Sequence, residues 1–389
     1  PTVSSLVGQL YEPGDKRLDA AYTIFYMGVN VGSFAAPLIC GFLGDTGNPQ
    51  DFKWGFLASG IMTLFTVVLF ETQKNKYLFS PSGEPIGIVP DARREKKEDK
   101  AEHISHPKMD KRTKVRNIII ITALTVALIA FFSYAFSDDW ISVGIFTACI
   151  VFPVLILLDG SLTKVERSRI FVIYIVAFFV IFFWAAYEQA GASLTLFASE
   201  QTDRSIFGWE MPASWFQSFN PLFVVILAYI MPGIWGFLNK RNMEPASPTK
   251  QAIGLLLLSL GYLFICFGVK DAIPGVKVSM IWLTGLYFIH TMGEIALSPI
   301  GLSMVNKLSP LRFASLMMGI WYLSTATANK FAGMLSGLYP EDGKVKSILG
   351  YQIATMYDFF MLFVIMSGVA SLILFLLSKK LQKMMHGVE

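Results

Sequence analysis

Two acidic residues lie inside apolar stretches that are long enough to cross a membrane. Glu188 is within the run FFWAAYEQAGASLTLFA at 182–198, and Glu294 is within MIWLTGLYFIHTMGEIALSPIGLSMV at 280–305. An ionised carboxylate at the centre of a bilayer costs about 2.5–3.5 kcal/mol on insertion scales, so acids at this depth usually belong to a proton, ion or substrate pathway. Two such residues in separate runs predict a transport protein.

The two acids suit different tasks. A carboxyl group that alternates between an apolar environment and a cation-paired one can bind and release protons, which makes Glu188 the candidate proton-coupling group. Glu294 is the candidate partner for an ammonium group of a substrate, because a desolvated ammonium needs a carboxylate. Structural alternatives stay open for both residues: Glu188 as an acid bonded between helices, and Glu294 as a lock between helices.

Two amides and two indole rings are the next candidates for a substrate site. Asn30 and Asn220 lie within apolar runs and can hydrogen-bond peptide groups, although an interhelical hydrogen bond explains either amide as well. Pro221 follows Asn220 and is expected to leave a backbone carbonyl free one turn upstream. Trp184 lies one helical turn before Glu188.

A further pair lies in a later run. Trp321 and Thr325 are one turn apart, and aromatic walls with few polar groups suit a pocket that accepts varied side chains. Ordinary packing is the alternative for each Trp. His290, one turn before Glu294, is expected to be a buried histidine with its hydrogen bonds satisfied. Lys330 is expected either to extend toward the membrane surface or to pair across the bundle.

The elements that position these residues are membrane-spanning helices. Hydrophobic residues make up 54% of the chain and the mean hydropathy is +0.53, which is typical of polytopic helical membrane proteins. Apolar windows predict ten spans after a shorter helical piece at 1–11. The predicted spans are 18–43, 53–71, 117–136, 140–158, 170–198, 214–238, 251–269, 279–305, 313–338 and 355–378.

The basic residues orient the chain. The loops on one side of the membrane, with the C-terminal tail, carry 25 Lys and Arg residues, and the loops on the other side carry six. The positive-inside rule therefore places the basic side and the C-terminus in the cytoplasm. The net charge of +4 follows from this topology and gives no reason to expect nucleic acid. The three cysteines lie within spans and predict neither disulfides nor a metal site.

Charge and an internal repeat divide the chain. The charged stretch 72–116 predicts a solvated cytoplasmic linker, and its His103 and His106 predict no metal site. Residues 1–10 match 299–308 weakly, with Pro, Val and Leu at the same positions, and each segment leads through a basic turn into a span rich in small residues. Such duplication is typical of transporters built from two related halves.

Five motifs resemble the proton-dependent oligopeptide transporter family of the major facilitator superfamily. They are FYMGVNVGS (25–33), FWAAYEQAGASLTLFA (183–198), QSFNP (217–221), GEIALSPIGLSMV (293–305) and GIWYLSTATAN (319–329). The resemblance implies an all-α, polytopic fold with a partial N-terminal bundle at 1–71, the linker at 72–116, an inserted helical hairpin at 117–158 and a complete six-helix C-terminal bundle at 159–389. The N-terminal part would hold half of helix 4 with helices 5 and 6.

The resemblance also implies a mechanism. It implies proton-coupled symport of di- and tripeptides by alternating access, with Glu188 as proton-coupling residue. The substrate-binding residues would be Asn30, Trp184, Asn220, Glu294, Trp321 and Thr325. Protons would be the only coupling species, with no cofactor and no metal. The protein would be a monomer in the lipid bilayer of a bacterial inner membrane.

The sequence departs from the family pattern at its start. The family's first three helices, their ExxERFxYY motif and the Lys before Pro1 do not occur, and Thr2 replaces an Asn. We therefore expect the sequence to be a truncated form.

Three other functions stay open. A transporter of nitrate, of an amino-acid derivative or of another small solute is one alternative, and a membrane receptor without transport is a second. An integral membrane enzyme is disfavoured, because no catalytic cluster of His, Ser or Asp is evident in the sequence.

Overall fold

The computed structural model of the 389-residue chain describes residues 18–81, 111–136, 139–270, 276–310, 313–340 and 344–388, with a few single positions before 18 and between 82 and 110. Three predictions lie largely outside these residues. They are the short helical piece at 1–11, the centre of the charged linker with its two histidines, and the turn residues Ser137 and Asp138.

The described residues are mainly helical, and this confirms the all-α class. The α-helices are α1 (Leu18–Gly44), α2 (Phe52–Tyr77), α3 (Lys111–Ala135), α4 (Trp140–Leu157), α5 (Lys164–Tyr187), α6 (Ser193–Glu200), α7 (Phe219–Lys240), α8 (Ser247–Val269), α9 (Met280–Leu308), α10 (Ala314–Ser336) and α11 (Met356–Met384). Short 3₁₀ helices occupy Pro49–Asp51, Glu188–Gly191 and Ala213–Ser218. The strands are β1 (Thr202–Asp203), β2 (Ser205–Ile206), β3 (Trp209–Glu210), β4 (Val278–Ser279), β5 (Lys346–Ile348) and β6 (Tyr351–Ile353), each only two or three residues long.

Nine helical segments in the described part of the chain are long and apolar enough to cross a membrane. They correspond to nine of the ten predicted spans. The tenth prediction, 313–338, is also a helix, α10, whose 23 residues are sufficient in length. Its polar residues, among them Ser324, Thr327 and Lys330, make α10 less apolar than the other nine.

The chain divides into two compact units. The first contains the described residues between Pro1 and His106 together with Ile206–Val225. The second contains the described residues of Pro107–Ser205 and Ile226–Glu389.

In the first unit, α1 and α2 form an antiparallel pair. The connection is a 3₁₀ turn that Asn48 caps, since its side-chain oxygen accepts a hydrogen bond from the backbone N–H of Gln50 at 3.1 Å. Gly55 allows the two helices to approach closely, because a Cβ atom at this position would lie 2.9 Å from the carbonyl oxygen of Cys40.

The 3₁₀ helix Ala213–Ser218 lies along α1 in the same unit. Asp45 Oδ2 accepts hydrogen bonds from the backbone N–H and the hydroxyl of Ser214, each at 3.2 Å. Ser218 Oγ donates to the carbonyl oxygen of Phe34 at 2.9 Å. These contacts run along α1 toward Asn30, which lies one turn before Phe34.

In the second unit, α8 packs between α9 and α11. Gly254 on α8 and Gly293 on α9 face each other so closely that a Cβ on either would lie within 2.9 Å of the other's carbonyl oxygen. On the opposite side, Ser259 Oγ donates to Val364 O at 2.9 Å. In lipid, helices associate through close contacts at small residues such as glycine and through hydrogen bonds from hydroxyl groups. The lipid tails are as apolar as the helices, so the hydrophobic effect does not drive this association.

The predicted inserted hairpin consists of α3 and α4, which pack against each other, and α4 also packs against α10 within the second unit. Asp139 caps α4, because its carboxylate accepts from the backbone N–H of Ser142 at 3.2 Å. Helix α5 then begins with a capping box between Thr163 and Glu166.

Candidate functional site

The candidate site is built on a break in a membrane-spanning helix. Helix α5 ends at Tyr187, a 3₁₀ turn covers Glu188–Gly191, and α6 begins at Ser193. The span predicted at 170–198 is therefore present, but its helix is interrupted in the middle. The backbone at Ala192, with φ −130° and ψ −102°, is outside the helical region and redirects the chain.

Side-chain hydrogen bonds surround the break. Tyr262 on α8 donates its hydroxyl to the carbonyl oxygen of Ala186 at 2.6 Å. Gln189 Nε2 donates to the carbonyl oxygen of Ala332 on α10 at 3.0 Å, and its Oε1 accepts from Ser193 Oγ at 2.6 Å. Because backbone groups in a membrane must be satisfied within the protein, these polar residues make the break tolerable.

Both predicted acids lie at this break. Glu188 is its first residue, and both Glu188 and Glu294 are half-buried. Tyr187, the residue before Glu188, donates its hydroxyl to Glu294 Oε2 at 2.5 Å. The two carboxyl groups are close enough to interact electrostatically. The structure thus brings the two predicted acids, from separate runs of sequence, to one place within the second unit.

Aromatic rings surround Tyr187. Its ring stacks on Phe183 with centroids 5.5 Å apart, and Trp184 meets it edge-on at 5.3 Å. Trp184 is half-buried, so part of its ring remains accessible beside the acids. This position agrees with a wall of the site.

His290 is a packed residue of the α8–α9 contact. It is 3% exposed, its Nε2 lies 3.2 Å from the carbonyl oxygen of Leu258, and its ring lies 4.7 Å from that of Tyr262. A carbonyl can only accept, so His290 Nε2 carries the donated hydrogen. The expectation of a satisfied buried histidine is confirmed.

Trp321 and Thr325 lie on α10. Trp321 is only 4% exposed and packs on Gly301 of α9, where a Cβ atom would come within 2.4 Å of the indole. In this conformation Trp321 is part of the contact between two helices. Thr325, one turn later, is half-buried.

Asn30 and Asn220 belong to the first unit. Asn30 is 8% exposed and donates its side-chain amide to the carbonyl oxygen of Tyr26 at 2.9 Å. Asn220 is half-buried in the first turn of α7. Pro221 lies in the first turn of α7, directly after the 3₁₀ helix Ala213–Ser218.

Sequence reasoning missed the residues that support the break. Tyr187 and Gln189 flank Glu188 directly, and Tyr262 lies in another span. The signal that was available is the run of polar residues Tyr187, Glu188 and Gln189 next to Gly191, since consecutive polar side chains mid-span predict broken backbone hydrogen bonding. Among the described residues, no three His, Cys, Asp or Glu side chains gather in a way that could hold a metal ion.

Comparison with known proteins gives a consistent result. The model of the POT family (PTR2) matches residues 1–349. The peptide transporter YePEPT of Yersinia enterocolitica subsp. palearctica serotype O:3 is 31% identical over 345 residues, which are 86% of this chain and 64% of that relative. A di-/tripeptide transporter of Lactococcus lactis subsp. cremoris is 29% identical and covers 100% of this chain and 74% of that protein.

A solved structure agrees in fold. A mutant of a peptide transporter POT in complex with alafosfalin superposes with a TM-score of 0.77 at 30% identity, over 100% of this chain and 72% of that one. The chain spans less than two thirds of the length of YePEPT.

Proposed function

This chain belongs to the POT family, a family of multi-pass membrane proteins, and from that premise we propose that it carries di- and tripeptides into the cell together with protons. It would work by alternating access and as a transporter rather than an enzyme. The names of its relatives, a peptide transporter and a di-/tripeptide transporter, support this substrate class.

One observation carries the proposal. Two half-buried carboxyl groups, Glu188 and Glu294, lie at a break in a membrane-spanning helix, where Tyr187, the residue before Glu188, donates its hydroxyl to Glu294. Discontinuous helices are where transporters bind ions and substrates, because the unwound backbone and the inserted side chains supply polar groups within the membrane. Acids at this depth are otherwise rare.

The two acids divide the work in this proposal. Glu188 takes up and releases the coupling proton, since it is the residue at the break itself. Glu294 binds the positively charged amino terminus of the peptide, because a carboxylate is the partner that a desolvated ammonium requires. Trp184, which lies beside Tyr187, forms an aromatic wall for peptide side chains.

The remaining predicted residues have supporting roles. Asn30 and Asn220 hydrogen-bond the backbone and the termini of the peptide, and Trp321 and Thr325 line the site in another stage of the transport cycle. The protein is a monomer in the bacterial inner membrane with its C-terminus in the cytoplasm. The predicted division at 1–71, 72–116, 117–158 and 159–389 describes its organisation, and it uses protons without a further cofactor.

The test is uptake of a labelled dipeptide by proteoliposomes that contain the product of the complete gene. Uptake is measured with and without an inward proton gradient, and exchange of labelled for unlabelled dipeptide is measured without one. We expect gradient-driven uptake by the wild type. Glu188→Gln should abolish gradient-driven uptake and keep exchange, because it removes the proton site while preserving the shape of the side chain.

Glu166→Gln is the matched control, because Glu166 lies in the first turn of the same helix and caps it by accepting from the Thr163 backbone N–H at 2.8 Å. It should keep its proton coupling. If the wild type is folded and transports no dipeptide, the peptide assignment is wrong, and other small solutes such as nitrate or amino-acid derivatives become the substrates to test. If Glu188→Gln keeps full gradient-driven uptake, the proton site lies elsewhere.

A further inference from the structure

The hydroxyl of Tyr187 contacts one acid of the site, Glu294. It donates to Glu294 Oε2 at 2.5 Å, within the range of charge-assisted O–H···O⁻ hydrogen bonds. Tyr187 is also the last residue of α5 and the immediate neighbour of Glu188.

The hydrogen bond from Tyr187 uses one acceptor position of the Glu294 carboxylate. A carboxylate offers about four acceptor positions on its two oxygens, so a carboxylate that accepts from a tyrosine can also accept from an ammonium group. By holding one oxygen, the tyrosine restricts the rotation of the Glu294 side chain and so reduces the entropy that binding would otherwise cost.

The position of Tyr187 in the chain ties this carboxylate to the break. Tyr187 ends the α-helix and Glu188 begins the 3₁₀ turn. The tyrosine that holds Glu294 is therefore fixed at the end of α5, directly before the turn that carries Glu188.

We propose that Tyr187 is a positioning residue, which orients the Glu294 carboxylate for the amino terminus of the substrate. The inference rests on the proposed function, since it assigns the peptide's ammonium group to Glu294. It goes beyond that function by naming the residue that sets selectivity for a free amino group.

Phenylalanine at this position isolates the hydroxyl. The ring of Tyr187 packs on Phe183 at 5.5 Å and on Trp184 at 5.3 Å, and a phenylalanine ring preserves both contacts. Tyr174→Phe is the matched control. Tyr174 lies on the same helix and its hydroxyl contacts only the weak acceptor Met317 Sδ, at 3.6 Å, among the hydrogen bonds of the described residues.

The experiment measures how strongly unlabelled Ala-Ala and N-acetyl-Ala-Ala inhibit uptake of labelled Ala-Ala into proteoliposomes holding the product of the complete gene. The acetylated peptide has no ammonium group and cannot use Glu294 as a charge partner. The ratio of the two inhibition constants therefore reports selectivity for the free amino terminus. A general loss of folded protein lowers the total uptake of labelled Ala-Ala. It leaves both inhibition constants, and therefore their ratio, unchanged.

We expect Tyr187→Phe to weaken inhibition by Ala-Ala about tenfold, as for loss of a hydrogen bond to a charged group, and to leave N-acetyl-Ala-Ala unchanged. Tyr174→Phe should keep the wild-type ratio. In a Glu294→Gln background, adding Tyr187→Phe should change the ratio no further, because the group that the tyrosine positions is no longer charged.

Two results overturn the inference. If the wild type transports dipeptides and Tyr187→Phe keeps the wild-type ratio, or weakens both peptides equally, Tyr187 has no positioning role and the proposed function stands. If the folded wild type transports no dipeptide, the proposed function fails and this inference fails with it. The wild-type control therefore separates the two failures.

Discussion

Lys330 on α10 forms an ion pair with Asp139, the residue that caps α4, with Lys330 Nζ 2.6 Å from Asp139 Oδ2. Both side chains are partly exposed, at 32% and 39%. The sequence left two interpretations of Lys330 open, and the structure favours pairing across the bundle. The ion pair joins the hairpin of α3 and α4 to α10, the helix that carries Trp321 and Thr325.

The first prediction concerns this ion pair and pH. The hydrogen bond from Lys330, followed by those from Ser142, lowers the pKa of Asp139 from 3.8 to about 2. A lowered pKa means that the ionised form stabilises the fold, so this contribution is complete above the unfolded value and disappears as pH falls through about 2. Asp139→Asn should lower the melting temperature slightly near pH 5 and make no difference near pH 2.

Asparagine is the informative replacement, because it still caps α4 through its side-chain oxygen and loses only the charge. Lys330→Gln should lower the melting temperature to the same extent, and the double variant should be no less stable than either single variant. Additive losses in the double variant would contradict a direct interaction between the two residues.

Much of the helical framework could be predicted from the sequence. Long apolar windows locate the spans because a membrane-crossing helix needs about 20 apolar residues, and this requirement is visible in one dimension. The ends of α2 and α11 extend beyond the predicted spans, since the helices continue through basic residues such as Lys74 and Lys379 past the apolar core. Chain composition cannot report where such an interfacial helix ends.

The candidate site was only partly predictable. Glu188 and Glu294 stand out because charge is rare at membrane depth. The helix break is invisible to a hydropathy window, since the residues around Gly191 are mostly apolar or small. Tyr262 and Gln189 could not be assigned from sequence, because their partners, Ala186 and Ala332, are backbone carbonyls brought close only by packing.

The second prediction concerns Gln189, which is completely buried and holds the break together. Gln189→Leu preserves size but leaves the hydroxyl of Ser193 without its acceptor and removes the hydrogen bonds to the carbonyl oxygens of Ala185 and Ala332. Because an unsatisfied buried polar group costs about 1–3 kcal/mol, we expect a clear loss of thermal stability, measured by intrinsic fluorescence during heating in detergent.

Gln352→Leu is the control, because Gln352 is an exposed residue of β6. It should keep the wild-type melting temperature. Ser193→Ala in the Gln189→Leu background should recover part of the lost stability, since it removes the hydroxyl that has lost its hydrogen-bond acceptor. A Gln189→Leu protein as stable as the wild type would mean that the break needs no side-chain support.

The third prediction concerns the close contact of α8 and α9. A Cβ atom on Gly254 would lie 2.9 Å from the carbonyl oxygen of Gly293 and 2.8 Å from Leu297 Cβ, so neither neighbour can accommodate it without a backbone shift. We expect Gly254→Ala to destabilise the protein by about 1–3 kcal/mol, as other overpacked contacts do. Gly233→Ala, in α7 with no atom within 4 Å of its Cβ position, should be neutral or slightly stabilising. Equal melting temperatures for the two variants would show that the helices separate easily.

The last prediction separates the two tryptophans. Trp321 is buried against Gly301, so Trp321→Ala should cost about 3–5 kcal/mol of stability, as truncation of a large core residue does. Trp184 is half-buried at the edge of the Tyr187 ring. Trp184→Ala should therefore retain most of the stability and instead change the relative inhibition of uptake by dipeptides that differ in side-chain size.

The measurement pairs thermal unfolding with inhibition constants for a series from Gly-Gly to Phe-Phe, for both variants under the same conditions. The melting temperature should respond mainly to Trp321→Ala, because the Trp321 ring is packed between helices. The inhibition constants should respond mainly to Trp184→Ala, because the half-buried Trp184 ring lies beside the two acids. A Trp184→Ala protein with an unchanged inhibition series would remove Trp184 from the substrate site. A Trp321→Ala protein of wild-type stability with an altered series would show that Trp321 leaves its contact with Gly301 to meet the substrate.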